Sequence, residues 1–268
     1  MLGDAIMKNE PLIRLIFFTG VLGIMIVWEY LSPKRCYQYP RLQRWPANFT
    51  VIAVDTIFLR LLFPTAAVGI AILGEERSWG LLNNIELAFW LKVIIAIIVM
   101  DLAIYFQHVL FHAVPGLWRL HRMHHADLEI DVSTGLRFHP LEIILSMLIK
   151  LMVVTALGSP AIAVLIFEIL LNATSQFNHS NIALPKQVDT WLRWLVVTPD
   201  MHRVHHSILA KETNSNFGFN LPLWDRIFGT YRDQPVKGHE GMTIGIDQFR
   251  TKRDLRIDQL LIQPFRRS

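Results

Sequence analysis

Eight of the eleven histidines fall into three tight groups, His108-x3-His112, His121-x2-His124-His125 and His202-x2-His205-His206. On a helix, residues three and four apart share a face, so each group can aim its imidazoles at one point. Neutral imidazole is a ligand for zinc, copper, iron and nickel alike, and clustered imidazoles are metal-binding chemistry. A mononuclear zinc site uses three or four protein ligands, so eight or more histidines imply two metal ions. The single cysteine, Cys36, rules out an internal disulfide and a thiolate cluster, leaving nitrogen and oxygen as donors.

Other residues join this set by position. His179, in Asn178-His179-Ser180-Asn181, follows a long apolar stretch that returns the chain to the side of the clusters, which makes it a ninth candidate ligand. Asp101 and Tyr105 lie seven and three residues before His108, on the same helical stripe, where a carboxylate could hold the second N–H of a ligating imidazole. His139, beside Pro140, is a candidate for ligation or for capping the helix that follows. His239, between Gly238 and Glu240 in a polar tail, reads as solvated.

These groups need apolar elements to hold them. The chain has 268 residues, 52% hydrophobic and 18% charged, with a net charge of +4 and a mean hydropathy of +0.35. That balance fits an integral membrane protein. The run Leu12 to Leu31 is long enough to cross a hydrocarbon core and reads as a retained span. Runs follow at Phe49 to Leu73, carrying Asp55 and Arg60, and at about Ile85 to Phe111, which delivers His108 and His112 at its end. Leu141 to Phe177 is broken by Gly158-Ser159-Pro160, the signature of a spanning or re-entrant helical hairpin. Val188 to Val197, with Trp191, Arg193 and Trp194, suits a helix lying at the interface.

The expected fold is all-α, a multi-spanning membrane bundle with a histidine-rich helical cap. It forms a single domain over 1–268, with spans in 1–107, the first clusters in 108–140, the hairpin in 141–177, and the later histidine regions and tail in 178–268. Basic residues Lys34, Arg35, Arg41 and Arg44 after the first span place the clusters on the cytoplasmic face. The same reading assigns Lys and Arg to membrane topology and excludes nucleic acid as a partner. The basic tail, Arg250, Lys252, Arg253, Arg256, Arg266 and Arg267, is either a topology signal or a surface for an acidic redox protein or anionic lipid.

The absence of HExxH and of GxSxG removes zincin proteases and elbow-type serine hydrolases, and no Glu-x-x-His pair of the soluble di-iron bundles occurs. A membrane metal-dependent hydrolase and a non-enzymatic metal-binding or transport protein stay open as alternatives. Transport places ligands near the midplane, whereas these lie at a span's end.

At these residues the sequence resembles the fatty acid hydroxylase and sterol desaturase superfamily of membrane di-iron enzymes. The likeness extends to Arg137-Phe138-His139-Pro140-Leu141-Glu142, Thr198-Pro199-Asp200-Met201-His202, Asn214-Ser215-Asn216-Phe217-Gly218 and Leu223-Trp224-Asp225-Arg226-Ile227-Phe228-Gly229-Thr230. The resemblance implies two iron ions, Fe2+/Fe3+, held by His108, His112, His121, His124, His125, His179, His202, His205 and His206. It implies O2 as co-substrate and hydroxylation or desaturation of a sterol, fatty acyl or related lipid. No haem or flavin domain is apparent, so a separate electron-transfer protein would supply electrons. Gln176 stands three residues before His179, where some members carry another histidine, so His139, Asn181 or water would complete one ion's shell. A bacterial inner membrane is favoured over the endoplasmic reticulum. Thr198 and Pro199 read as the start of the helix that aims the last trio, with Trp224 as an interfacial anchor.

Overall fold

The computed structural model describes residues 6–266, and Arg267 lies outside them. Among the described residues there are helices and two isolated bridges but no strand. Five candidate spans are long and apolar enough to cross a membrane, as expected for a multi-pass membrane protein.

The first, α1 (Glu10–Leu31), has 22 residues and would extend about 33 Å. The second candidate is divided: α2 (Arg41–Leu62) stops before Pro64, and α3 (Ala66–Glu76) resumes after it. The expected continuous run is therefore two helices. Proline has no N–H for the helical ladder and disfavours helical geometry in the residue before it. α4 (Phe89–Ala113) is the longest helix and ends in His108 and His112. A short turn leads into α5 (Pro115–His125), where proline occupies the first turn.

The hairpin forms where the glycine and proline signal placed it. α6 (Pro140–Leu157) closes on Gly158 in the left-handed conformation, φ +69°, and α7 (Ala161–His179) starts after Pro160. Gly80 approaches so closely that a Cβ on it would fall inside the backbone of Gly158, which fastens the α3–α4 connection to the hairpin tip. α7 is the central helix, half buried, packed against α1, α3 and α4. Its charge is neutralised by partners on other helices: Glu168 meets Lys150 at 2.7 Å and Arg14 at 3.0 Å.

Glu29 ties the membrane bundle to the cap. One carboxylate oxygen accepts from the N–H groups of Val132 (2.7 Å) and Asn181 (2.8 Å), and the other meets Arg41 at 2.9 Å. The cap contributes α8 (Lys186–Leu192), α9 (Pro199–His205), α10 (Ala210–Thr213), α11 (Leu223–Ile227), α12 (Gly238–Gly241) and α13 (Ile257–Ile262). Trp191 and Trp194, at and just beyond the end of α8, are 77% and 62% exposed, whereas Arg193 is buried against Asp189, an arrangement that suits an interface.

Candidate metal centre

Four helix ends converge on one point. α4 supplies His108 and His112, α5 supplies His121, His124 and His125, and α7 ends on His179. α9 brings His202 and His205, with His206 just after them. Its start is built as the sequence indicated: the Thr198 hydroxyl accepts from the N–H of Met201 at 3.3 Å, and Pro199 occupies the first turn.

The nine imidazoles sort into two groups. His108, His112, His121, His125 and His205 form one; His124, His179, His202 and His206 form the other. Within each, one nitrogen per residue lies within 4.8 Å of all the others. All are buried except His112, which is half-buried.

The second ring nitrogens show what orients the first. Nδ1 of His108 lies 2.8 Å from the Phe217 carbonyl, that of His205 2.8 Å from the Ser215 carbonyl, and that of His121 2.6 Å from Glu142 Oε1. In the smaller group, Nδ1 of His179 lies 2.7 Å from the Ser175 carbonyl and that of His124 3.2 Å from the Arg137 carbonyl. Each contact is a donor to oxygen, so each of these rings carries its proton on Nδ1 and turns the Nε2 lone pair inward.

The inward nitrogens fit metal ions. Nε2 of His108, His121 and His205 is buried without a hydrogen-bond partner. Nε2 of His179 lies 3.1 Å from that of His124 and 3.0 Å from that of His202; the His112 and His125 Nε2 atoms are 3.1 Å apart. Two imidazoles at right angles on one ion, with bonds of about 2.1 Å, have their nitrogens about 3 Å apart. Burial, then the neighbouring histidines, hold His124, His125, His202 and His206 well below 6.5, and burial outweighs the Ser215 contact to bring His205 to about 3. These five are neutral at pH 7, the form that binds metal.

The remaining candidates lie outside both groups. Asp101 Oδ2 accepts from the Trp224 indole at 2.8 Å and the Leu221 N–H at 3.3 Å, fastening the 216–231 segment to α4. Trp224 is thus buried against α4, a correction to its reading as an interfacial anchor. His139 caps α6, its Nδ1 accepting from the N–H of Leu141 at 3.2 Å, while its Nε2 contacts the Leu261 carbonyl at 3.1 Å. Gln176 donates to the Phe18 carbonyl at 3.3 Å, and Asn181 brackets the backbone of Arg35 with both ends of its amide. His239 is buried, not solvated, with Asp200 at 3.6 Å and Arg203 at 3.4 Å, because the tail folds back onto α9.

Two features were missed in the sequence. Glu142 was legible only as part of a motif, yet among the described residues it is the one carboxylate that touches a histidine of either group. The acids following His125, namely Asp127, Glu129 and Asp131, are buried, and their spacing directly after the cluster was the available signal.

With this geometry in view, the family model for fatty acid hydroxylase matches residues 93–230, from α4 to the end of the 216–231 segment. The chain belongs to the fatty acid hydroxylase family. Similar proteins include ornithine lipid hydroxylase OlsE of Rhizobium tropici, 28% identical over 54% of this chain and 43% of that protein. Alkylglycerol monooxygenase of Homo sapiens is 29% identical over 56% of this chain and 32% of its own length. Cholesterol 25-hydroxylase of Homo sapiens is 26% identical over 54% of this chain and 52% of its own. The matched stretch thus spans about a third to a half of these relatives. No solved structure matches the chain. Membership places this chain beside relatives named as two lipid hydroxylases and a monooxygenase, and the matched residues include all nine histidines.

Proposed function

We propose that this member of the fatty acid hydroxylase family hydroxylates a C–H bond of a membrane lipid at a two-iron centre. The carrying observation is the pair of nitrogen-only groups, five and four imidazoles, buried except for the half-buried His112, where the apolar helices α4 and α7 end against α5 and α9. His108, His112, His121, His125 and His205 would hold one ion, and His124, His179, His202 and His206 the other. Bound iron would supply oxygen-dependent oxidation of an unactivated C–H bond, drawing electrons from a separate carrier protein.

The protein's own part is holding, shielding and placing. Phe138 stacks on His124 at 4.3 Å and 10°, Trp118 lies 4.9 Å from His112, and the Phe217 ring lies 5.1 Å from His112 and 5.5 Å from His108 and His205. These rings form an apolar surround that excludes water and suits an alkyl chain. The names of the three relatives, two hydroxylases and a monooxygenase, favour hydroxylation over desaturation. The basic segment between α1 and α2 supports placing the centre on the cytoplasmic face of the membrane.

The test combines metal analysis with isotope incorporation. Protein purified in detergent from iron-rich medium should hold about two irons per chain, and the double variant His124→Ala, His205→Ala should lose them. Lipid extracts from expressing cells under 18O2 should carry the label in a new hydroxyl group, absent with the double variant. One zinc per chain, or an unlabelled hydroxyl, would favour a hydrolase instead.

A further inference from the structure

Between α5 and α6 the chain wraps around a carboxylate. Asp127 Oδ2 accepts from Arg44 Nη1 at 3.0 Å, Thr134 Oγ1 at 2.9 Å and Asn48 Nδ2 at 3.3 Å, while Oδ1 faces Arg137 Nη1 at 3.7 Å. Arg44 also pairs with Asp131, which accepts from the Trp45 indole at 3.1 Å. Arg137 Nε donates to the Met123 carbonyl at 2.8 Å, fastening the returning segment of this loop to α5. Arg44, Asp127, Asp131 and Arg137 are all fully buried. Two cations and two carboxylates make a neutral set, which is what allows so much charge to be buried there.

This set governs one atom of the centre. The carbonyl of Arg137 is the acceptor that faces Nδ1 of His124. Among the four histidines of the smaller group, His179 is oriented by a carbonyl of its own helix, and His202 Nδ1 and both nitrogens of His206 have no hydrogen-bond partner. His124 is thus the one member whose aim is imposed by a separate segment, and that segment is held by an arginine from α2. The larger group draws on different supports, the carbonyls of Phe217 and Ser215 and the carboxylate of Glu142.

We propose that Arg44 and Asp127 are positioning residues for the four-histidine half of the centre: by fixing the Arg137 carbonyl they aim His124, so that the two halves depend on different supports. This rests on the two-ion reading above. Loss of an outer partner lowers metal affinity by roughly ten- to a hundredfold, and here that loss falls on one ion of the two.

The experiment is iron content per chain, with the ferric electron paramagnetic resonance signal, for the full chain in detergent during dialysis against a graded chelator series. Wild type should retain about two irons, and Asp127→Asn should fall to about one at roughly tenfold lower chelator, exposing the signal of an isolated ferric ion. Asp127→Glu should restore part of the lost affinity. Thr134→Val, which removes one hydrogen bond and no charge, should shift the release of one iron a few-fold and serves if Asp127→Asn does not fold. Loss of both irons together in Thr134→Val, or a release profile unchanged from wild type, overturns the proposal. A wild type holding fewer than two metals overturns the two-ion reading itself.

Discussion

The five-histidine and four-histidine groups share α5 and α9, yet α4 serves only the larger and α7 only the smaller, and they are braced differently. The larger is held from outside: Ser215 and Phe217 belong to the cap, and Glu142 opens α6. The smaller is held by a helix-internal carbonyl at His179 and by the clamped loop behind His124. A metal centre on helix ends needs each ring fixed about its own axis, and backbone carbonyls provide most of that here. The five-nitrogen group also leaves less of an ion's coordination shell to outside ligands than the four-nitrogen group. The halves are therefore expected to fail separately and to differ in what they leave open.

The sharpest way to break this distinction is to remove a ligand from each half. His205→Ala and His202→Ala should each reduce lipid hydroxylation more than about a hundredfold, beyond the effect of losing an outer partner, and each should retain about one metal. Metal analysis beside product assays checks this. If either substitution empties both sites, the halves form one cooperative unit.

Glu142→Gln probes the larger half with a smaller change. The amide keeps an oxygen near His121 Nδ1 but removes the negative charge that strengthens the 2.6 Å hydrogen bond. Affinity for one ion should fall by roughly ten- to a hundredfold while the other stays bound. Chelator titration of metal content reads this directly, and loss of the ion held by the smaller half would contradict the assignment.

Much of this was legible in the sequence because spacing carries it. HxxxH and HxxHH put imidazoles on one helical face, the Gly158-Ser159-Pro160 break marks the hairpin, and Thr198-Pro199 starts α9. What escaped were supports whose partners are far apart in the chain. Asp101 meets Trp224 across 123 residues, Arg44 meets Asp127 across 83, and the tail that buries His239 is an ordinary polar sequence. Pro64 was in plain view, but an apolar run around it read as one span. A carbonyl that orients a histidine leaves no trace in side-chain identity, so Phe217, Ser215 and Arg137 could not be assigned that role in advance.

Acid should weaken both halves together. His205, at about 3, is neutral in the folded chain, whereas an exposed histidine titrates near 6.5. The unfolded state therefore binds the extra proton between those values. Stability from this group is full above pH 6.5 and falls as pH drops from 6.5 towards 3, at up to about 1.4 kcal/mol per pH unit. His124, His125, His202 and His206 shift in the same direction, so the slopes add. Melting temperatures of chelator-treated protein should be level from pH 8 to 7 and decline steeply below 6. A flat profile down to pH 5 would show that these rings are not buried as neutral imidazoles.

The smallest effect tests the boundary of the ligand set. His139 stands at the start of α6, three residues before Glu142, and its ring accepts the Leu141 N–H while contacting the Leu261 carbonyl. Both nitrogens are occupied by backbone, so neither presents a lone pair to the four-histidine group. His139→Ala should cost about 0.5–2 kcal/mol through loss of the cap, with a modest fall in melting temperature. Metal content and chelator resistance should match wild type, because His124 and His121 keep their own acceptors on Arg137 and Glu142. If the variant instead loses one metal, His139 completes the smaller half, and the five-to-four division gives way to two equal sets.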